Sequence, residues 1–398
     1  MKKFNYIILS MIIATLFSCD LDRFPESDLS DNQYWQTEGD FIQALNSLYR
    51  SVPGWNRYND DNQSDIQVGN ATNNISDGTY QPTSGFGPWG DSYEVIRAAN
   101  NIIEKLETVD LGTKASLEAE ARFFRALQYY TLVKAYGDVP LILKTLDITS
   151  EELFAPRDDR KVVIDKALAD LDFAADKLPS KASVTKGRLT KGAANALKAR
   201  IALYEGTRSK FHGYGYEQEL LTIARDAAKK VMDSQEYSLY AAKGNGYDNY
   251  TSLFLYDGEG SDETILAHEY GISEANQIAS FNNRNLEQGG ACATRKLMDS
   301  YLCTDGLPID KSPLFQGFTE YSSEFENRDP RLTSVILKRG DDLKGENAPW
   351  VPTIYSSLSG VLFKKYAYPA DWVNQRSYID WMFIRYAETL LIYAEATY

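Results

Sequence analysis

The stretch AEARFFRALQYYTLVKAYGDVPL, Ala119 to Leu141, limits this chain more than any other. Ala119, Phe123, Ala126, Tyr130, Val133 and Tyr136 recur at spacings of three and four, the period of one helix face. Phe124, Leu127, Tyr129 and Leu132 fill most of the remaining circumference. A helix apolar nearly all round must be buried among other helices. Small alanines beside large aromatics suit close helix packing, where ridges need grooves. Gly137-Asp138 stops the helix, Pro140 seals it, and GDVPL leaves as a short extended exit.

The rest of the first half repeats this habit. Thr37 is an N-cap, followed by Phe41, Ala44, Leu45 and Leu48 on one face, until Pro53-Gly54. Tyr93, Ile96, Ala99, Ile103 and Leu106 carry a helix from about Asp91, which Trp89 opens as a staple. Val162, Ile164, Leu168, Leu171 and Ala175 make the partner of the central helix. Thr190 caps a helix through Ala193, Leu197, Ile201 and Tyr204, and Ile223, Ala227 and Val231 line up in the next. The spacing predicts helix pairs over 38–51 with 91–108, 115–136 with 160–178, and 190–206 with 217–233. Pairs of this size, rich in Ala and Tyr, predict a mostly α, tetratricopeptide-like helical repeat scaffold with long loop insertions; a plain helical bundle is the alternative.

Two regions depart from the pattern. Residues 1–18 read as a secretory leader, with Lys2 and Lys3 before an apolar run too short to span a bilayer. Leu16-Phe17-Ser18-Cys19 looks like a lipobox, making Cys19 the lipidated first residue of a chain anchored to a membrane without spanning it. Asp20 and Asp22 directly after it resemble the surface-export tag of bacterial lipoproteins. Beyond Tyr240, Gly, Asn, Tyr and Asp dominate and apolar runs are short, which predicts an irregular lobe. The divisions expected are a leader at 1–18, a helical repeat region at 19–240 and an irregular lobe at 241–398. A strand is expected over Phe363–Tyr368, and Tyr378–Ala396 should start extended and become helical.

Composition excludes some functions. The formal charge of −14 argues against nucleic-acid binding and disfavours anionic polysaccharide unless a local basic cleft overrides it. Two histidines are too few for a His-rich metal site. No GxSxG, HExxH, Walker loop or GxGxxG is present, so no cofactor or metal is implied. DDNQSD, Asp60 to Asp65, lacks the Gly and Glu positions of an EF-hand. Carboxylate pairs such as Asp60-Asp61 and Asp158-Asp159 read as solvated loops rather than as a glycosidase pair. Cys292 and Cys303 are compatible with a disulfide or with two buried thiols.

The central stretch, with its run of Ala, Arg, aromatic pair, Tyr and Gly-Asp-Val-Pro, resembles the signature helix of the SusD/RagB family of outer-membrane lipoproteins. The downstream order DETILAHEY, ATRKLMDSYLCTDGLPI, NRDPRLTSVIL and DWMFIRYAETLLIYAEA, together with RLTKGAANALKARIALYEG, extends the resemblance over nearly the whole chain. It implies a glycan-capture protein that delivers oligosaccharide to a TonB-dependent (SusC-like) outer-membrane transporter, with no bond made or broken. Family members usually continue past the last helix, so a truncated final repeat with an exposed apolar face is expected at Tyr398. An outer-surface glycoside hydrolase and a peptide-binding repeat scaffold are the competing readings.

In such a protein the landmarks are scaffold. Glu120, Arg122, Arg125, Arg385 and Glu388 should pair within it, and Asp329-Pro330-Arg331 should fix a turn and a helix start. Ligand contacts are expected from the long loop between Trp55 and Trp89 and from the lobe. Sugar capture needs flat aromatic faces with Asn, Asp or Arg for hydroxyls. The candidates are Trp55, Tyr58, Asn59 and Asp60, with a second platform at Trp350 and Tyr355. The alternative is that each aromatic closes a minor core under its own loop.

Overall fold

The computed structural model describes residues 34–55, 60–69, 71, 73–81, 87–241, 246–271, 282–289, 291–345, 349–353, 357–374 and 376–398. Six long helices form the scaffold: α1 Glu38–Leu48, α2 Trp89–Glu107, α3 Lys114–Tyr136, α4 Arg160–Lys177, α5 Lys191–His212 and α6 Glu217–Asp233. Each packs on its neighbour in sequence from α1 to α6, as a tetratricopeptide-like stack requires. The signals for their ends are local. Asp40 accepts the Thr37 N–H at 2.7 Å, Thr190 Oγ1 accepts the Ala193 N–H at 3.0 Å, and Gly137, at φ +75°, stops α3.

The central position of α3 follows from its lack of a polar face. Phe123, Phe124, Ala126, Leu127, Tyr129 and Leu132 are all buried in one continuous core shared by the six helices. On α4 the periodic reading is corrected at one position: Val162 is 50% exposed and Val163 takes its place in the core. The polar groups on these helices pair inside the scaffold. Arg125 grips Asp170 of α4 with two bonds, at 2.8 Å and 2.9 Å. Its third nitrogen donates to Asn100 of α2 at 2.8 Å. Asn100 in turn donates to the carbonyls of Ile142 and Lys144 at 3.1 Å and 3.2 Å, which ties down the exit segment after α3. Arg160 pairs with Glu205 at 2.7 Å, joining α4 to α5, and Arg188 pairs with Glu120 at 2.8 Å.

After α6 the elements shorten: α7 Gly246–Ser252, α8 Asn282–Gly289, α9 Arg295–Ser300, α10 Pro330–Val335 and α11 Pro369–Asn374, before α12 Tyr386–Thr397. Strands β1 Gln67–Val68, β2 Thr264–His268, β3 Cys292–Ala293, β4 Ile336–Leu337, β5 Leu362–Phe363 and β6 Trp381–Arg385 pair antiparallel as β1 with β3, β2 with β6 and β4 with β5. Asp329 caps α10 and Pro330 opens it, as their order requires. The strand expected over Phe363–Tyr368 is shorter than that, because Tyr366 lies at φ +62° and ends the extended run. Cys292 and Cys303 are buried free thiols.

The lobe rejoins the scaffold through β2 and β6. Arg385 pairs with Glu263 at 2.6 Å, and Arg200 of α5 pairs with Glu388 and donates to the Phe383 carbonyl. α12 packs on α6 through Ile392 and leaves Leu391 70% exposed.

Candidate functional site

Two concavities open along the first turns of α2. The larger, about 590 Å³, lies between the end of α1, the start of α2, the middle of α3 and the end of β2. Arg50, Asp91, Glu94, Gln128, His268 and Tyr270 give it its chemistry. Its aromatic wall is locked in place. His268 stacks on Tyr270 with ring centroids 4.8 Å apart, and its Nδ1 donates to the Val52 carbonyl at 2.6 Å. The Tyr270 hydroxyl accepts the Trp55 N–H at 2.9 Å, while its own N–H donates to Asp380 at 2.8 Å. Burial pushes the Tyr270 hydroxyl above its usual pKa, so it stays a neutral hydrogen-bonding group. Gly54 permits this approach, because a Cβ there would lie 2.5 Å from the Tyr270 hydroxyl. Opposite, Arg50, Asp91 and Glu94 are exposed and free to meet ligand hydroxyls.

The smaller groove, about 330 Å³, runs between α2 and the segment after α3, with Trp89 at its mouth and Arg97, Lys144 and Glu152 along it. Trp89 is 37% exposed. Its ring stands edge-on to Tyr136 at 5.1 Å and against Tyr93 at 5.0 Å, with the Arg157 guanidinium 5.9 Å from it. Tyr93 is itself fixed by donating to the Pro140 carbonyl at 2.7 Å. The staple expected of Trp89 is therefore present, yet it leaves much of the indole in solvent. No other tryptophan of the chain is so exposed.

The residues nominated from sequence fall elsewhere. Trp55 is a correction: it is 4% exposed and packs edge-on against Trp381 at 5.2 Å and Tyr366 at 5.8 Å, in a small core of the lobe. Trp350 is a second: at 5% exposed it closes another core with Cys292, Leu337, Leu343 and Leu362. For both, the alternative of a minor core under each loop is the right description, since burying a large ring outweighs the polarity of its sequence neighbours. Asp60 is exposed on a short 3₁₀ turn, Asp60–Gln63. Tyr58, Asn59, Tyr355 and Cys19 lie outside the described residues. Sequence reasoning missed His268 and Tyr270; one of only two histidines, two residues from a tyrosine at the end of a strand-like run, was the available signal. Among the described residues no group of His, Cys, Asp and Glu is placed to hold a metal ion, and no helix is long and apolar enough to cross a membrane.

Comparison with known proteins matches residues 28–203 to a family described as starch-binding associating with the outer membrane, and residues 262–398 to the SusD family. A SusD-like protein of Bacteroides ovatus is 27% identical over 277 residues, covering 66% of this chain and 48% of the relative. The chain spans about half the length of the curated relatives it matches. The crystal structure of a SusD-like protein from Bacteroides fragilis superimposes with a TM-score of 0.75 at 25% identity, over 94% of this chain and 77% of that one. A SusD-like carbohydrate-binding protein from the same organism gives a TM-score of 0.74 at 23% identity, over 91% and 74%. Two family models that together span most of the sequence, and a fold shared with SusD-like structures, place the chain in the SusD/RagB family.

Proposed function

We propose that this protein is a cell-surface glycan-binding lipoprotein, which captures oligosaccharide and passes it to a TonB-dependent outer-membrane transporter without cleaving it. The observation that carries this reading is the pair of open concavities beside α2, one walled by the fixed His268–Tyr270 stack and the other headed by the exposed Trp89. Aromatic faces held by their own neighbours, flanked by exposed Arg50, Asp91 and Glu94, supply both stacking and hydroxyl recognition. The description of a fold relative as carbohydrate-binding supports the same reading.

Affinity electrophoresis against a glycan panel, with an assay for new reducing ends, tests it. A retained glycan with no new ends is expected. Trp89→Ala should weaken that retention by roughly five- to a hundredfold, the equivalent of losing about 1–3 kcal/mol of ring stacking. Its helical circular dichroism should not change. Equal retention by Trp89→Ala would remove the smaller groove from the site, and new reducing ends would favour a hydrolase.

Anchoring is tested separately. In cells lacking the transporter partner, Cys19→Ala should shift the protein from the outer-membrane fraction to a soluble one, since the acyl chains are then its one proposed hold on the membrane. Continued fractionation with membranes in cells lacking a transporter partner would remove the lipid anchor from the proposal.

A further inference from the structure

A third cavity, about 220 Å³, lies inside the lobe, lined by Trp55, Tyr250, Tyr301, Tyr366, Lys365 and Trp381 among others. It is smaller than the ~300 Å³ at which drug-sized pockets begin, and suits one sugar ring or a small organic acid. Its walls are aromatic and rigid. Tyr366 stacks on Trp381 at 4.7 Å, and Trp55 meets both rings edge-on. Tyr366 holds its place with φ at +62°, a strained conformation for a residue with a side chain.

The unusual member is Lys365. Its ammonium lies 4.1 Å from the centre of the Phe254 ring and 5.7 Å from that of Tyr250. Among the described residues no carboxylate forms an ion pair with it. Glu263, just before β2, is already engaged by Arg385 at 2.6 Å, and Asp61, which lines the same cavity, acts on Lys365 through space. Burial, with the Arg385 charge second, pulls Lys365 down from 10.5 to about 8. Tyr301, pushed up to about 12 by burial, remains a neutral hydroxyl in the same wall. A cation seated against aromatic rings, with Asp61 and Glu263 acting on it through space but neither in an ion pair with it, is a ready partner for an anion.

We propose that this cavity is a second ligand site, which takes a carboxylate-bearing monosaccharide: the Lys365 ammonium receives the carboxylate, and the aromatic lining, with Tyr250 and Tyr301 beside Lys365, takes the ring. One ammonium with Asp61 in the same lining favours a monoanion over a phosphate dianion. The site is distinct from the concavities beside α2, so Trp89→Ala leaves it unchanged, and the two readings fail independently.

The test titrates the whole protein with glucuronate, with glucose as the neutral ring and acetate as the carboxylate without a ring. Trp55 and Trp381 line the cavity, so tryptophan fluorescence reads occupancy, and calorimetry reads affinity. Saturable glucuronate binding is expected, with glucose inert at the same concentrations and acetate weaker than glucuronate. Lys365→Met should weaken glucuronate by about tenfold or more, the usual scale for losing a charge-assisted bond. Wild-type affinity should fall as pH rises through about 8, where the ammonium is lost. Asp61, whose carboxyl is raised but starts from 3.8, and Tyr301, at about 12, do not carry that step. The pH profile needs no variant and stands if Lys365→Met fails to fold. Absence of saturable glucuronate binding, equal binding of glucose, unchanged affinity in folded Lys365→Met, or a flat profile across pH 8 would each overturn the proposal.

Discussion

Asp170→Ala is expected to lower the unfolding free energy by about 3–5 kcal/mol, the usual result of removing one partner from a buried ion pair. Asp170 is fully buried. Besides the two bonds from Arg125 it accepts Lys166 at 2.7 Å and Arg122 at 3.3 Å. Truncation leaves the buried Arg125 guanidinium without its carboxylate, in the place where α2, α3 and α4 meet. Arg125 would also lose the orientation that holds Asn100 against the exit segment. Urea denaturation followed by circular dichroism measures the effect. The double variant Arg125→Met with Asp170→Leu should recover much of the loss, because replacing both charges leaves neither stranded. A single variant with the wild-type midpoint would mean that the pair is solvated and that the three helices are held by apolar packing alone.

Phe123→Ala is expected to destabilise by a similar amount, about 3–5 kcal/mol, for a different reason. Phe123 is fully buried and packs edge-on to Phe124 at 5.6 Å, and Phe124 continues the contact to Tyr49 at 4.8 Å. Both neighbours sit in regular helix or 3₁₀ backbone, which limits collapse into the void. The loss then includes a cavity term as well as transfer of the ring. Differential scanning calorimetry on Phe123→Ala and Phe123→Leu separates the two, the second variant losing much less. Equal melting temperatures for wild type and Phe123→Ala would displace α3 from the centre of the core.

The scaffold was legible in the sequence because its causes are local. Helical periodicity and caps within a few residues of each end placed α3, α4 and α6 to within a residue or so, and the pairing of Arg125, Arg385 and Glu388 followed from charges set in apolar helices. The candidate site was less legible because its causes are remote. Asn56, Arg57 and Asp60 around Trp55 suggest a solvated platform, but the rings that bury Trp55 come from Tyr366 and Trp381, at the far end of the chain. Trp89 shows the reverse error: its local contact with Tyr93 is real, yet the edge-on contact with Tyr136 stands the indole up instead of laying it flat. Side-chain exposure in a loop depends on which distant segment arrives above it, and no local pattern encodes that.

The antiparallel contact of β2 with β6, with the Glu263 carbonyl accepting the Tyr386 N–H at 2.8 Å, brings the two ends of residues 269–380 together at the edge of the helical stack. The segment between is also tied to the first half of the chain through the β1–β3 pair and the Trp55–Tyr366 contact, but its two ends close at this junction. The entropy of closing such a loop grows only with the logarithm of its length, so doubling it would add only about 0.6 kcal/mol. Segments can therefore be inserted into or removed from the lobe with little effect on the closure of the junction or the register of α5, α6 and α12. By the same connection, a single backbone cut inside the lobe leaves two fragments still joined through β2, β6 and the Arg385–Glu263 pair.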